Sequence, residues 1–275
     1  MGRPRVAPAA VLACVASAGV RAGLEAAWGG TPRWTRTNHR GAPISLLEGP
    51  AVGLGVLAGT AALPAPWRGA ATIAGAGGLA FGLVDDLAED SGRARKGLRG
   101  HLGALAHGEL TTGGLKLLGI GAVSTVAAAL AVGRPTGSRA VWLGDVLTGG
   151  ALVAVTANLV NLLDLRPGRA LKAVWLASLA TLPGEGGPAG AVVLGAASAA
   201  LPADLAERDM LGDGGANALG AVLGVAALAG TGRVGRVGLL AGAVGLTLAS
   251  ERISFSDVIA RTPGLRELDA WGRRA

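Results

Sequence analysis

The chain is short of charged residues, cysteine and histidine, and each shortage narrows what it can be. Only 16% of its 275 residues are charged, whereas a soluble domain usually carries about 25% because its surface must be solvated. The single Cys14 excludes an intramolecular disulfide and a zinc site built on cysteines. The three histidines lack the HExxH spacing of a helical zinc site. A soluble domain and a zinc enzyme are therefore disfavoured.

Long apolar segments take the place of the missing charge. Residues of hydrophobic type make up 51% of the chain, and the mean hydropathy is +0.50. The apolar runs are about 16 to 23 residues long, which suits a hydrocarbon core of about 30 Å at a helical rise of 1.5 Å per residue. The 48 glycines allow helix backbones to approach closely in lipid. We predict an all-α polytopic transmembrane bundle of about nine spans, at 6–28, 44–63, 69–87, 113–133, 140–161, 170–183, 187–203, 215–230 and 236–250.

The basic residues are distributed unevenly between alternate loops, which predicts the orientation. The odd-numbered loops and the C-terminal tail hold sixteen Lys and Arg, against seven in the N-terminus and the even-numbered loops. By the positive-inside rule the N-terminus is outside the cell and the C-terminus inside. We predict a transmembrane domain over residues 1–250 in the inner (plasma) membrane, then a cytoplasmic interfacial tail over 251–275, interrupted at Pro263. The net charge of +7 reflects these loops, so no nucleic-acid partner is expected.

Four polar clusters fall on the predicted cytoplasmic side. They are RTNHRG (36–41), FGLVDDLAED (81–90), ANLVNLLDLRPGR (157–169) and RDMLGDGGANALG (208–220). Clusters so far apart in sequence that meet one membrane boundary predict a cleft assembled from loops at the cytoplasmic face.

The acidic residues of these clusters are the candidates for chemistry. Asp85 and Asp86 point about 100° apart on a helix, so only one of them can face a given cleft. Flanking glycines at Asp213 bring the backbone close to whatever the carboxylate holds. A helix end that meets water, or a polar turn between spans, is the alternative explanation for each motif taken alone.

The neighbouring residues suggest a magnesium and phosphate site. Asn158, Asn161 and Asp164 follow an i, i+3, i+6 spacing that places them along one broad stripe of a helix end. Hard oxygen ligands of this kind suit Mg²⁺, which prefers carboxylates together with phosphate oxygens. Basic residues near the clusters suit an anionic substrate: Lys96, Lys116, Arg36 and Arg40.

The order of these motifs resembles the polyprenyl-phosphate N-acetylhexosamine-1-phosphate transferases. That superfamily includes phospho-N-acetylmuramoyl-pentapeptide transferase of peptidoglycan synthesis and its N-acetylglucosamine-1-phosphate relatives. The shared order is DD at a span end, NxxNxxD at a later span end, and a GD-G turn that opens another span, over roughly residues 33 to 225.

The resemblance implies a Mg²⁺-dependent transferase in cell-envelope glycan synthesis. Polyprenyl phosphate attacks the β-phosphorus of a UDP-N-acetylhexosamine, which releases UMP and leaves a lipid-linked sugar diphosphate. By motif position, Asp213 would bind Mg²⁺, Asp85 would deprotonate or orient the lipid phosphate, and Asp86 would support the metal or that phosphate. Asn161 and Asp164 would line the nucleotide pocket. The expected substrate-binding set is completed by Asn158, Lys96, Lys116, His39 and Asn217.

Several departures from the family pattern keep alternatives open. Leu165 and Pro167 replace a glycine and an aspartate of the usual NxxNxxDGxDG motif, and Ala216 stands where serine is common. Glu89 replaces a frequent lysine, and no histidine follows His107, so a muramoyl-pentapeptide substrate is disfavoured. A catalytically silent relative that binds lipid-linked precursors is one alternative. A small-molecule transporter is another, although mid-span charges and an inverted repeat are lacking. A homodimer is also compatible with the sequence.

Overall fold

The computed structural model describes residues 6–38, 40–88, 111–135 and 137–274, and within these ranges the fold is helical except for one small hairpin. The hairpin pairs β1 (Thr35–Thr37) with β2 (Pro43–Ser45), after a 3-10 turn at Pro32–Trp34. The helices in chain order are α1 (Val6–Trp28), α2 (Glu48–Thr60), α3 (Trp67–Ala88), α4 (Thr112–Val132), α5 (Arg139–Leu163), α6 (Arg169–Thr181), α7 (Gly187–Leu205), α8 (Gly212–Gly230), α9 (Arg233–Ser250), α10 (Phe255–Arg261) and α11 (Leu265–Ala270).

Six helices of the described chain are long and apolar enough to cross a membrane: α1, α3, α4, α5, α7 and α8. Helices α9 and α10 add a seventh candidate if they form one span, although they meet at a bend of 97°. Helices α2 and α6 have 13 residues each and reach only about 20 Å. The predicted all-α bundle with membrane-spanning helices is therefore confirmed, while the count of nine spans and the orientation stay predictions.

Each predicted span coincides with one helix, and the largest difference is at the start of α2. The span predicted to begin at residue 44 begins at Glu48, because β2 occupies residues 43–45. Ser45 donates its N–H to the Arg208 carbonyl (3.0 Å) and accepts from the Met210 N–H (2.8 Å). The hairpin is thereby attached to the segment that leads into α8.

Helix α8 is the centre of the bundle. Beyond its first two turns, which hold Asp213 and Asn217, it is apolar on all sides, the pattern expected of a helix enclosed by others, and most of its residues are buried. Helices α2, α3, α5 and α7 pack around it. Gly220 and Gly224 of α8 lie against the backbone of Ala157 and Val153 of α5. Because glycine has no side chain, the backbones of the two helices can approach closely.

Helix α3 approaches α8 through a second glycine pair. A Cβ atom on Gly78 would lie 2.6 Å from the carbonyl oxygen of Asn217, and one on Gly82 would lie 2.6 Å from the Cα atom of Gly214. Gly78, Gly82 and Asp86 repeat every four residues and so share one face of α3. The close contact of the two glycines brings Asp86 onto the first turn of α8.

The C-terminal tail docks on the start of α6. Arg169 donates to both carboxylate oxygens of Asp269 at 2.8 and 3.0 Å. Lys172 donates to the carbonyls of Leu268 (2.8 Å) and Asp269 (2.6 Å), which are at the negative end of α11. The break between α10 and α11 contains Pro263, where the sequence predicts an interruption. Its interfacial placement stays a prediction.

Candidate functional site

Asp86 caps the N-terminus of α8. Its Oδ1 accepts the N–H of Asp213 and its Oδ2 accepts the N–H of Gly214, both at 2.8 Å. These are two of the N–H groups that a helix start leaves unpaired, and a carboxylate there is also favoured by the helix dipole. This arrangement requires glycine at position 212. Gly212 adopts a φ of +63°, which favours glycine, and a Cβ atom on it would lie 3.1 Å from both Asp86 oxygens. Asp86 is therefore engaged within the fold, with 7% of its surface exposed.

Asp85 and Asp213 meet at the ammonium group of Lys116. The Nζ of Lys116 donates to Asp85 Oδ2 at 2.6 Å and also contacts Asp213 Oδ2. Lys116 lies in the first turns of α4, which packs against the end of α3. We call Asp85, Asp86, Asp213 and Lys116 the aspartate cluster. It joins the end of α3 to the beginnings of α4 and α8.

Three side chains of the aspartate cluster are partly exposed. The side chains of Lys116, Asp85 and Asp213 are 15%, 21% and 27% exposed, respectively. Since both carboxylates contact the same nitrogen atom, their nearest oxygens lie no more than about 5 Å apart. One octahedral ion with oxygens at about 2.1 Å holds two ligands up to about 4.2 Å apart, so a small movement of these side chains brings them into range. The pair Asp85 and Asp213 fits a shared magnesium ion on donor chemistry and spacing. Among the described residues, no group of three or more acidic, cysteine or histidine side chains is arranged to hold a metal.

Arg36 ties the β-hairpin to this end of the bundle. Its Nη2 donates to the backbone carbonyl of Asp86 at 2.7 Å, in the last turn of α3. A cation there complements the negative end of the helix dipole. Asn38 donates to Glu207 at 2.9 Å, which fastens the same hairpin to the end of α7. Two of the predicted cytoplasmic clusters are thus in direct contact.

Asp164 also contacts the first residue of α8, Gly212. It follows the last residue of α5, and its carboxylate accepts from the N–H of Gly212. Partial burial, with the nearby charge of Asp204, raises the pKa of Asp164 well above the ordinary aspartate value. A cavity of about 190 Å³ lies beside it, lined also by Asn38, Leu165 and Met210. A raised pKa reduces the negative charge that an anionic ligand would meet there.

The other predicted substrate-binding residues are distributed unevenly. Asn158 and Asn161 are half-buried on the last turns of α5, nearly two turns and one turn before Asp164, respectively. Asn217 is 1% exposed and donates its Nδ2 to the Asp213 carbonyl at 2.8 Å, so it braces α8 from within. Lys96 and His39 lie outside the described residues. The structure therefore brings Asp85, Asp86, Asp213, Lys116 and Asp164 around one helix start.

Two charged residues, Arg21 and Glu48, were given no site role on the basis of the sequence. Arg21 of α1 binds Asp209 through two hydrogen bonds, at 3.0 Å from Nε and 2.5 Å from Nη2. Glu48, the first residue of α2, is buried at 2% exposure. The sequence contains one indication of the Arg21–Asp209 pair: Arg21 lies inside an apolar run, where a charged side chain needs a partner.

These features define the class as an all-α protein with helices able to cross a membrane and an aspartate cluster at one end of its bundle. Comparison with known proteins does not narrow the class to a family. No protein-family model matches the chain, and no curated protein matches it.

Proposed function

We propose that the protein transfers a sugar-1-phosphate group from a UDP-N-acetylhexosamine to polyprenyl phosphate in the plasma membrane, with Mg²⁺ as cofactor, for cell-envelope glycan synthesis. The observation that carries the proposal is the shared contact of Asp85 and Asp213 with Lys116. Two motifs separated by 128 residues thus present carboxylates to one point, at the end of a bundle whose helices suit a lipid substrate.

The residues fit a magnesium ion at this point. Asp85 and Asp213 would hold it, and Asp86 would keep Asp213 in place through the two N–H groups that it accepts. When bound, the ion supplies positive charge that neutralises diphosphate oxygens and orients them. The motif position predicts Asp86 as a ligand beside Asp213, and the contacts favour Asp85 for that role.

The protein's own residues would position two phosphate groups. An oxygen of the polyprenyl phosphate forms a bond to the β-phosphorus of the UDP-sugar, the bond between that phosphorus and the bridging oxygen breaks, and UMP leaves with the electron pair. Such transfers depend mainly on positioning and charge neutralisation. Asp85 would orient the lipid phosphate, and Lys116, already 2.6 Å from Asp85, would donate to phosphate oxygens.

The start of α8 is not itself the phosphate site. A free helix N-terminus attracts phosphate, but Asp86 already accepts the N–H groups of Asp213 and Gly214. The substrate's charge must therefore be met by side chains such as Lys116 and Arg36. The nucleotide would lie toward Asp164, whose raised pKa limits repulsion of the diphosphate.

A catalytically silent relative is the second candidate, and the Lys116 contacts favour it too. An ammonium between two carboxylates permanently offsets one of their two negative charges and occupies the position between them, which disfavours a metal ion there. Leu165 and Pro167 also replace a glycine and an aspartate of the family motif beside the 190 Å³ cavity. Such a protein would bind a lipid-linked precursor without turnover.

An assay with a panel of substrates separates the two candidates. Purified full-length protein is incubated with polyprenyl phosphate, MgCl₂ and individual UDP-sugars, and both UMP and the lipid-linked product are measured. We expect UMP release in step with lipid product for at least one UDP-N-acetylhexosamine, and none after chelation of Mg²⁺. Absence of product with every UDP-N-acetylhexosamine, from protein that still binds polyprenyl phosphate, would contradict the transferase and support the silent relative.

A further inference from the structure

A second cavity, independent of the aspartate cluster, lies between α1, α2 and α7. Its volume is about 550 Å³, within the range of about 300–1,000 Å³ that is usual for small-molecule sites. Ser17 and Arg21 of α1, Glu48 of α2 and Asp209 contribute its polar atoms, and three alanines of α7 form an apolar wall: Ala199, Ala200 and Ala203. We call it the α1–α7 cavity.

The polar side of the α1–α7 cavity contains a carboxylate without a partner. Glu48 is 2% exposed, and neither of its carboxylate oxygens has a hydrogen-bond partner among the described residues. The hydroxyl of Ser17, which also lines the cavity, lacks a partner within the same part of the chain. A buried polar group that is left unpaired costs about 1–3 kcal/mol, and a charged one more.

The nearby arginines do not neutralise Glu48. Arg21 is bound by Asp209 through two hydrogen bonds and by Glu25 at 2.7 Å. Arg208 is exposed at the rim of the cavity. The cavity therefore has three carboxylates against two guanidinium groups, Glu25, Glu48 and Asp209 against Arg21 and Arg208. Of these three carboxyl groups, Glu48 is the one without an ion-pair or hydrogen-bond partner among the described residues.

We propose that the α1–α7 cavity binds a primary ammonium group carried on a short aliphatic chain, with Glu48 as its counter-ion. An ammonium has three N–H donors and no acceptor, so it complements an unpaired carboxylate. The alanine wall suits the aliphatic part. The cavity volume far exceeds the about 30 Å³ that one water molecule occupies, so it has room for more than a small ion. Both Glu48 oxygens are covered, so binding requires the side chain to rotate toward the cavity that it lines.

The amine can come from a soluble molecule or from an aminolipid headgroup, and the test distinguishes these sources. The thermal unfolding of full-length protein in detergent is followed by tryptophan fluorescence during titration with n-butylammonium chloride. Matched titrations use n-butanol, which lacks the charge, and MgCl₂, which lacks the chain. A parallel experiment compares nanodiscs of phosphatidylethanolamine with nanodiscs of phosphatidylglycerol.

We expect saturable stabilisation of the wild type by n-butylammonium and at least tenfold weaker binding in Glu48→Gln, which keeps the shape and removes the charge. Glu185→Gln changes an exposed carboxylate between α6 and α7 and should bind like the wild type. Ala203→Leu fills the cavity without touching its charges and should also weaken binding, so it replaces Glu48→Gln if that variant does not fold. Stabilisation by phosphatidylethanolamine discs that depends on Glu48 identifies the lipid source; its absence alongside a butylammonium response identifies a soluble amine.

Three results would overturn the proposal. One is a wild type with no saturable response to n-butylammonium and no Glu48-dependent response to phosphatidylethanolamine. The second is equal binding in the wild type and in both cavity variants. The third is a Glu48-dependent response that n-butanol or MgCl₂ reproduces, because the cavity would then recognise an alkyl chain or a metal ion; stabilisation by MgCl₂ that Glu48→Gln leaves unchanged belongs to the aspartate cluster.

Discussion

Replacing Gly82 by alanine tests the close contact of α3 and α8 on which the aspartate cluster depends. A Cβ atom there would lie 2.6 Å from the Cα atom of Gly214, whereas carbon atoms in favourable contact are about 3.5–4.0 Å apart. The helices must therefore separate by about 1 Å. The hydrogen bonds from the N–H groups of Asp213 and Gly214 to Asp86, now 2.8 Å long, would lengthen beyond the usual limit of about 3.2 Å.

The magnitude follows from three effects. Overpacking of a close contact costs about 1–3 kcal/mol, and loss of one hydrogen bond to a charged group costs about 1.5–3 kcal/mol. Alanine recovers about 0.5–1 kcal/mol of helix preference over glycine. We expect Gly82→Ala to lower the free energy of unfolding by about 2–5 kcal/mol. Gly69→Ala is the matched control in the same helix, because its Cβ would meet only Leu130 Cδ1 at an ordinary 3.8 Å.

The assay is reversible unfolding in mixed detergent–SDS micelles, followed by tryptophan fluorescence. Gly69→Ala should be as stable as the wild type or slightly more stable, and Gly82→Ala clearly less stable. Equal stability of the two variants would refute the packing of α3 on α8, and with it the placement of Asp86 on the first turn of α8.

Three further predictions concern the tail, the lysine and the topology. Burial opposes ionisation of Asp269, but its hydrogen bonds and ion pairs with Arg169 and Arg273 outweigh burial and lower its pKa. The contribution of Asp269 to tail docking is thus complete above the unfolded pKa of about 3.9, and it is lost as the pH falls through the lower folded pKa. Asp269→Asn should release the tail at neutral pH and speed tryptic cleavage there about tenfold, since it removes the charge from a partly buried carboxylate that accepts three charge-assisted hydrogen bonds; unchanged cleavage would contradict the docking. Lys116→Gln removes a competitor for the two carboxylates, so the MgCl₂ concentration that half-saturates thermal stabilisation should fall about tenfold, and an unchanged midpoint would count against the shared site. In a Cys14-free protein, Ala42→Cys and Ser138→Cys, both at exposed positions, should react with impermeant reagents from opposite sides of the membrane. Reaction of both from the same side would overturn the predicted nine-span map.

The positions of the helices could be predicted from the sequence because a membrane span needs a long uninterrupted apolar run. The different partners of Asp85 and Asp86 also follow from local geometry, since adjacent residues of a helix point about 100° apart. The length of α2 was less accessible, because apolar residues continue past its end at Thr60 into Ala61, Ala62 and Leu63. The hairpin was missed, since strands of three residues are too short to show an alternating pattern.

The partners of the site residues depended on tertiary packing. Lys116 could be recognised as a basic residue suited to phosphate, but its position between Asp85 and Asp213 requires α3, α4 and α8 to meet at one end. The burial of Glu48 was equally hidden, because an acidic residue at the start of a helix is ordinarily solvated there. In each case the sequence shows the charged residue, whereas its surroundings depend on how the helices pack.

The most direct test of the central claim is the rate of UMP release by Asp213→Asn, measured with polyprenyl phosphate, MgCl₂ and the UDP-N-acetylhexosamine that the wild type uses. Asparagine keeps the shape but removes the negative charge that would hold the ion, and loss of one such electrostatic group typically costs about 10²- to 10³-fold in rate. Asp85→Asn should lose a similar factor, while Asp257→Asn, in the exposed first turn of α10, should retain the wild-type rate. Wild-type turnover that survives both Asp213→Asn and Asp85→Asn would contradict the assignment of the aspartate cluster as the site of phosphoryl transfer.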